Sequence, residues 1–157
     1  MLSHFKGLPG PPLVDRTIGE ALLSAAEQWG DREALVAVHQ QLRFTYSQLL
    51  DRVDRLANNL ISLGLMKGDR IGIWSPNCAE WVLTQFAAAR AGLILVTINP
   101  AYRLREAEYT FNKVGVRALV VAEKFKTSDY AGMVETLAPE LGSSEPGHLR
   151  SAKLPTR

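Results

Sequence analysis

Three short apolar runs, residues 70–74, 93–98 and 117–122, are separated by stretches with helical spacing. No other feature constrains the chain as strongly. Strands alternating with helices imply βαβ units, and therefore an α/β fold with a mostly parallel sheet flanked by helices. The first intervening stretch, residues 79–91, carries Trp81, Val82, Leu83, Phe86 and a run of alanines, leaving a thin polar stripe and predicting a largely buried helix. Gly92 ends it. Asn99-Pro100 closes the second strand, because proline lacks an amide hydrogen and restricts the residue before it. A helix over 104–113 with Gly115 as its stop leads to the third strand, and a further helix over 129–137 is expected with Ser128 as its cap. In such sheets ligands bind beyond the carboxyl ends of the strands. Those ends are Ser75-Pro76-Asn77, residues 99–103 and residues 123–125.

The first half of the chain has clear helix starts. Thr17 with Glu20, and Thr45 with Gln48, are capping-box pairs. After the first, Ile18, Leu22, Ala25, Ala26 and Trp29 recur at helical spacing until Gly30. After the second, Leu49, Val53, Leu56, Leu60 and Leu63 do the same until Gly64, with Asp51 and Arg55 spaced for an i,i+4 ion pair. Between them, residues 33–38 and 42–44 read as a hairpin turning at His39-Gln40-Gln41. Residues 1–16 read as an extended arm, since Pro9-Gly10-Pro11-Pro12 opposes helix and sheet alike. Residues 142–157 turn to Gly, Ser, Pro and charge and read as a tail.

Charge and composition narrow the function. Residues 1–142 hold 15 Lys and Arg against 15 Asp and Glu, so the net charge of +2 resides in the tail, where Arg150, Lys153 and Arg157 stand against Glu145. A nucleic-acid footprint needs clustered charge on a structured face, and none is present in the sequence. Cys78 is the sole cysteine, which precludes an internal disulfide and favours a reducing compartment. No apolar run approaches the roughly 18 residues of a membrane span. Residues 1–14 carry only Lys6 as fixed charge and lack the apolar stretch of a secretory signal.

No catalytic constellation can be read from spacing. There is no GxGxxG, no Walker loop and no GxSxG, and His4, His39 and His148 fall in the arm, the turn and the tail without metal-ligand spacing. Four groups invite a functional reading, and each has a plainer one that is preferred. Cys78 reads as a small residue packed near a helix start rather than a nucleophile. Arg103 and Arg105 read as a solvated pair rather than phosphate ligands. Trp74, Trp81 and Tyr102 read as core and rim packing rather than a ligand pocket. Asn77 reads as a helix cap or Asx turn rather than a ligand donor.

The order of several short motifs carries a resemblance. These are Thr17-Ile18-Gly19-Glu20-Ala21-Leu22, Asp31-Arg32-Glu33-Ala34-Leu35-Val36, Phe44-Thr45-Tyr46-Ser47-Gln48-Leu49, Lys67-Gly68-Asp69-Arg70-Ile71-Gly72-Ile73 and Asn99-Pro100-Ala101-Tyr102-Arg103. Over residues 15–153 the chain resembles the start of the acyl-adenylate-forming (AMP-binding) enzymes. Trp74-Ser75-Pro76-Asn77-Cys78-Ala79-Glu80-Trp81 and Phe125-Lys126-Thr127-Ser128-Asp129-Tyr130 look closest to medium-chain and related fatty acyl-CoA ligases. The resemblance implies an enzyme that uses ATP, Mg²⁺ and coenzyme A to activate a fatty acid through acyl-AMP. It also implies that this chain is an incomplete N-terminal part of the large domain. The family's phosphate loop ending in Pro-Lys-Gly is missing, since no Pro-Lys pair occurs anywhere, and so are its later catalytic motifs. Catalytic, ATP-binding and metal residues are therefore expected to be none, no cofactor is expected to bind this segment alone, and substrate-binding residues are unassigned.

The expected organisation is an arm (1–16), a partial AMP-binding domain (17–141) and a truncated tail (142–157), arising from a gene fragment, a truncated product or a short form. A parallel sheet cut here should expose strand edges and an apolar patch, favouring self-association or pairing with a full-length ligase. The alternatives are a non-catalytic interaction module and an independent small-molecule binding domain. A cytoplasmic location is expected, with the mitochondrial matrix as the alternative.

Overall fold

A computed structural model describes residues 13–155 together with Gly7 and Gly10. Most of the predicted arm lies outside the described residues; its last part, residues 13–16, joins no helix or strand. The chain then runs α1 (Ile18–Trp29), β1 (Glu33–Ala37), β2 (Leu42–Thr45), α2 (Tyr46–Ser62), β3 (Arg70–Trp74), α3 (Ala79–Arg90), β4 (Ile94–Ile98), α4 (Leu104–Val114), β5 (Val116–Val121), β6 (Lys124–Phe125), β7 (Ser128–Asp129) and α5 (Tyr130–Leu137). Both capping boxes form: Thr17 accepts from the Glu20 amide and Thr45 from the Gln48 amide, while the Glu20 and Gln48 side chains each accept from the cap residue's amide. Asp51 and Arg55 pair one turn apart on the exposed face of α2.

β3, β4 and β5 make a parallel sheet in the order β4-β3-β5, with Gly72 opposite Val96 on one side and Leu119 on the other. The order means that the chain steps from β3 to one neighbour, then crosses back over β3 to the other. The two crossovers pack on opposite faces. Ile71, Leu95, Ala118 and Val120 face a core built with α1, α2, α3 and the β1–β2 hairpin. Trp74, Val96, Ile98, Leu119 and Val121 face a second core built with α4 and α5. This is the strand alternation of a sheet covered on both sides. β4 and β5 are its outer strands, each paired on one flank among the described residues. Only Glu80 and Arg90 are exposed along α3, as its thin polar stripe requires; Arg90 clamps Asp54 of α2 with two bonds of 2.7 and 3.1 Å.

The structure corrects two readings and adds a third finding. The cap of α5 is Asp129, whose carboxylate accepts from the Gly132 amide, and not Ser128. Ser128 instead belongs to a short antiparallel β6–β7 hairpin, unread in the sequence because each strand is only two residues long. Asn77 caps nothing: the cap position of α3 is Cys78, and Asn77 is exposed. The third finding concerns the segment read as a tail. Its residues 151–154 lie against the body: the buried Ser151 hydroxyl donates to the Leu137 carbonyl, Asn112 donates to the Lys153 carbonyl, and Leu154 packs into the second core. Glu140 accepts from the Ala152 amide, and its carboxyl is held below the usual range by its own amide and by that bond.

Candidate functional site

A parallel sheet whose crossovers reverse direction leaves a crevice at the carboxyl end of its central strand. Here that strand is β3, and the loops that meet there are the three the sequence singled out. An open hollow of about 530 Å³ lies among them, lined by His39, Pro76, Asn77, Pro100 and Phe125. Pro76 and Asn77 follow β3, Pro100 follows β4, and Phe125 follows β5. His39 comes from the tip of the β1–β2 hairpin, which spacing gave no reason to place here. A second hollow between α1 and α2, of about 500 Å³, lies away from the strand ends and is lined by residues such as Ser47, Asp51 and Asn58.

The aromatic residues behave as packing groups. Trp74 is fully buried, with its ring edge-on to Tyr130 at 5.0 Å and Phe111 at 5.9 Å, and its indole N–H donates to the Asn99 carbonyl. Tyr102 packs on the second core, and Trp81 is half-buried. None of these three lines the hollow; Pro76, Pro100 and Phe125 provide its apolar wall.

The loop after β4 is held from several directions. Asn99 makes an Asx turn by accepting from the Ala101 amide, and the buried Tyr130 hydroxyl donates to the Pro100 carbonyl at 2.9 Å. Arg103 is tied down: its guanidinium donates to the hydroxyls of Ser128 and Thr127, which links the β6–β7 hairpin to the start of α4. The Glu106 carboxylate accepts from the Arg103 amide, and its pKa is lowered by its own amide and by that bond. The reciprocal half of a capping box is chemically impossible there, because a guanidinium has no acceptor. Arg103 and Arg105 are both exposed, as the solvated reading expects, and the hydroxyl contacts belong to Arg103.

On the β3 side, Cys78 is half-buried with its sulfur 3.4 Å from the Ser75 hydroxyl oxygen. Sequence reasoning missed Gln40 altogether. Its carboxamide oxygen accepts from the Ala79 amide and its nitrogen donates to the Glu80 carboxylate, each at 2.7 Å. The Glu80 carboxyl is held below its ordinary range, chiefly by Gln40 and next by its own amide. No local pattern links residues so far apart in sequence.

The hollow offers an imidazole, a carboxamide and apolar surface. Among the described residues no three His, Cys, Asp or Glu side chains converge on a metal position. The donor set at the hollow does not fit a magnesium–nucleotide complex. Nor is any helix among the described residues long and apolar enough to cross a membrane.

An α/β segment with a reversing parallel sheet and loops gathered at its strand ends is of the doubly wound class, in which ligands approach at those loops. The family model described as AMP-binding enzyme matches residues 22–152, and the chain belongs to that family. The medium-chain acyl-CoA ligase ACSF2, mitochondrial, of Rattus norvegicus is 46% identical over 154 residues, covering 98% of this chain and 25% of that protein. Among solved structures, the N-terminal domain of FACL13 from Mycobacterium tuberculosis is 25% identical with a TM-score of 0.72, covering 85% of this chain and 32% of that one. A Mycobacterium tuberculosis fatty acyl CoA synthetase is 26% identical with a TM-score of 0.71, covering 77% of this chain and 23% of that one. The chain thus spans about a quarter of the length of the curated relatives it matches.

Proposed function

We propose that this chain is the N-terminal scaffold segment of a fatty acyl-CoA ligase acting on medium-chain acids. In the whole enzyme a carboxylate oxygen attacks the α-phosphorus of ATP and pyrophosphate leaves, giving acyl-AMP; the coenzyme A sulfur then attacks the acyl carbon and AMP leaves. ATP, Mg²⁺ and coenzyme A belong to that whole enzyme. The segment contributes the β4-β3-β5 sheet and its strand-end loops, and no catalytic or nucleotide-contacting side chain. The observation that carries the reading is the match of 98% of the chain to 25% of a medium-chain acyl-CoA ligase.

The test is a pair of pyrophosphate-exchange assays with octanoate or decanoate. The 157-residue chain alone should give no exchange. A chimera joining it to the remaining part of a medium-chain acyl-CoA ligase should restore exchange and thioester formation. Turnover by the chain alone overturns the scaffold assignment, and a folded chimera that adenylates no fatty acid overturns the ligase assignment. The outer strands β4 and β5 favour a second reading, a short form that pairs with a full-length ligase; failure to co-purify at high concentration would sink it. The name of the rat relative supports the mitochondrial alternative over the cytoplasm, and exclusion of the chain from isolated mitochondria would reverse that preference.

A further inference from the structure

The N-terminus of α3 is capped from outside its own loop. Its cap residue, Cys78, accepts no helix amide at its sulfur, although the thiol lies against the Glu80 carboxylate. A helix start leaves several amides without intrahelical partners. One of them, the Ala79 amide, is satisfied by Gln40 from the hairpin tip. The same carboxamide holds Glu80 in the first turn. Gln40 itself is presented by a tight turn in which Gln41 adopts φ 55° and its amide donates to the Val38 carbonyl. On either side of this junction stand hollow-lining residues: His39 precedes Gln40, while Pro76 and Asn77 precede Cys78.

We propose that Gln40 is a positioning residue for the ligand-facing end of the sheet: its two hydrogen bonds join the hairpin tip to the start of α3 and so fix the spacing between His39 and the Pro76-Asn77 wall. The assignment rests on reading the strand-end hollow as the ligand-facing end of the segment. It gives the hairpin, otherwise remote from the β3 loop in sequence, a role at that hollow.

Cys78 reports on the junction, being the only thiol in the chain and adjacent to the clamped amide. The experiment measures its alkylation by a small thiol reagent in the 157-residue chain, well below the melting midpoint. Gln40→Glu keeps the acceptor for Ala79 but sets a carboxylate against Glu80. With each rate corrected for the thiolate fraction of Cys78 in that variant, because a second carboxylate beside Glu80 also disfavours the thiolate, alkylation should be roughly three- to tenfold faster, the opening shift carried by one hydrogen bond of ordinary net strength. Gln40→Glu combined with Glu80→Gln reverses donor and acceptor, and the rate should return to within about twofold of the parent. A merely structural role would shift the melting midpoint without this pattern of loss and rescue at Cys78. An unchanged rate in Gln40→Glu, or no rescue in the swap, overturns the proposal. Because these rates need no turnover, an inactive chimera would leave them untouched, so this proposal and the ligase assignment fail separately.

Discussion

Gly72→Ala tests how closely the second core is packed over the central strand. Gly72 sits in the middle of β3 with ordinary backbone geometry, so alanine meets no conformational barrier there. It does meet neighbours. A methyl group at Gly72 would lie 2.9 Å from a Leu119 methyl, 3.0 Å from Ile98 Cδ1 and 3.3 Å from a Val116 methyl. The first two are closer than carbon atoms sit at rest, and the side chains they belong to are held among Trp74, Phe111 and the rest of the core. Overpacking of this kind costs about 1–3 kcal/mol. Reduced freedom of the unfolded chain returns about 0.4–1 kcal/mol for glycine to alanine. The net loss of about 1–2 kcal/mol lowers the midpoint of a chain this size by about 2–8 °C. Urea and thermal melts followed by tryptophan fluorescence measure it. Ile98→Val removes the methyl at 3.0 Å. Alone it costs about 0.5–1.5 kcal/mol, but in the Gly72→Ala background it should cost much less. A Gly72→Ala protein as stable as its parent, or an Ile98→Val cost identical in both backgrounds, would refute this packing argument.

Thr45→Ala removes the acceptor for the Gln48 amide at the start of α2 and should lower stability by about 1 kcal/mol, with faster hydrogen exchange at Gln48; an unchanged urea midpoint would show that the cap contributes nothing. The Glu80 carboxyl titrates below its ordinary value of 4.5 in the folded chain, so its stabilising contribution is complete above that value and is lost as pH falls through the folded one. Gln40→Leu removes the main cause of the lowering, so stability should fall less steeply on acidification below about pH 4.5. A denaturant series across that range with parallel slopes for both proteins would contradict the assignment.

Much of the fold is legible locally. The apolar run at residues 70–74 predicts a strand, and the structure places β3 at Arg70–Trp74; the other long elements fall within a residue or two of expectation. The causes are short-range: capping boxes at Thr17 and Thr45, and left-handed stops at Gly64, Gly92 and Gly115. The strand-end loops are likewise legible as the place where a ligand would approach, because alternation implies a parallel sheet and the sheet implies its crevice. The two-residue strands β6 and β7 are not, since so short a segment carries no period.

The sequence by itself determined the kinds of element, their order and the family, because caps, breakers and periodicity act over a few residues. Only the tertiary structure decided that α3 and α4 lie on opposite faces, that Arg103 binds the Thr127-Ser128 hydroxyls, and that Gln40 caps α3 from a hairpin tip. The physical reason is the range of the interactions. An amide at a helix start donates to whichever oxygen the folded chain brings within reach, and the residues flanking that amide do not reveal which one arrives.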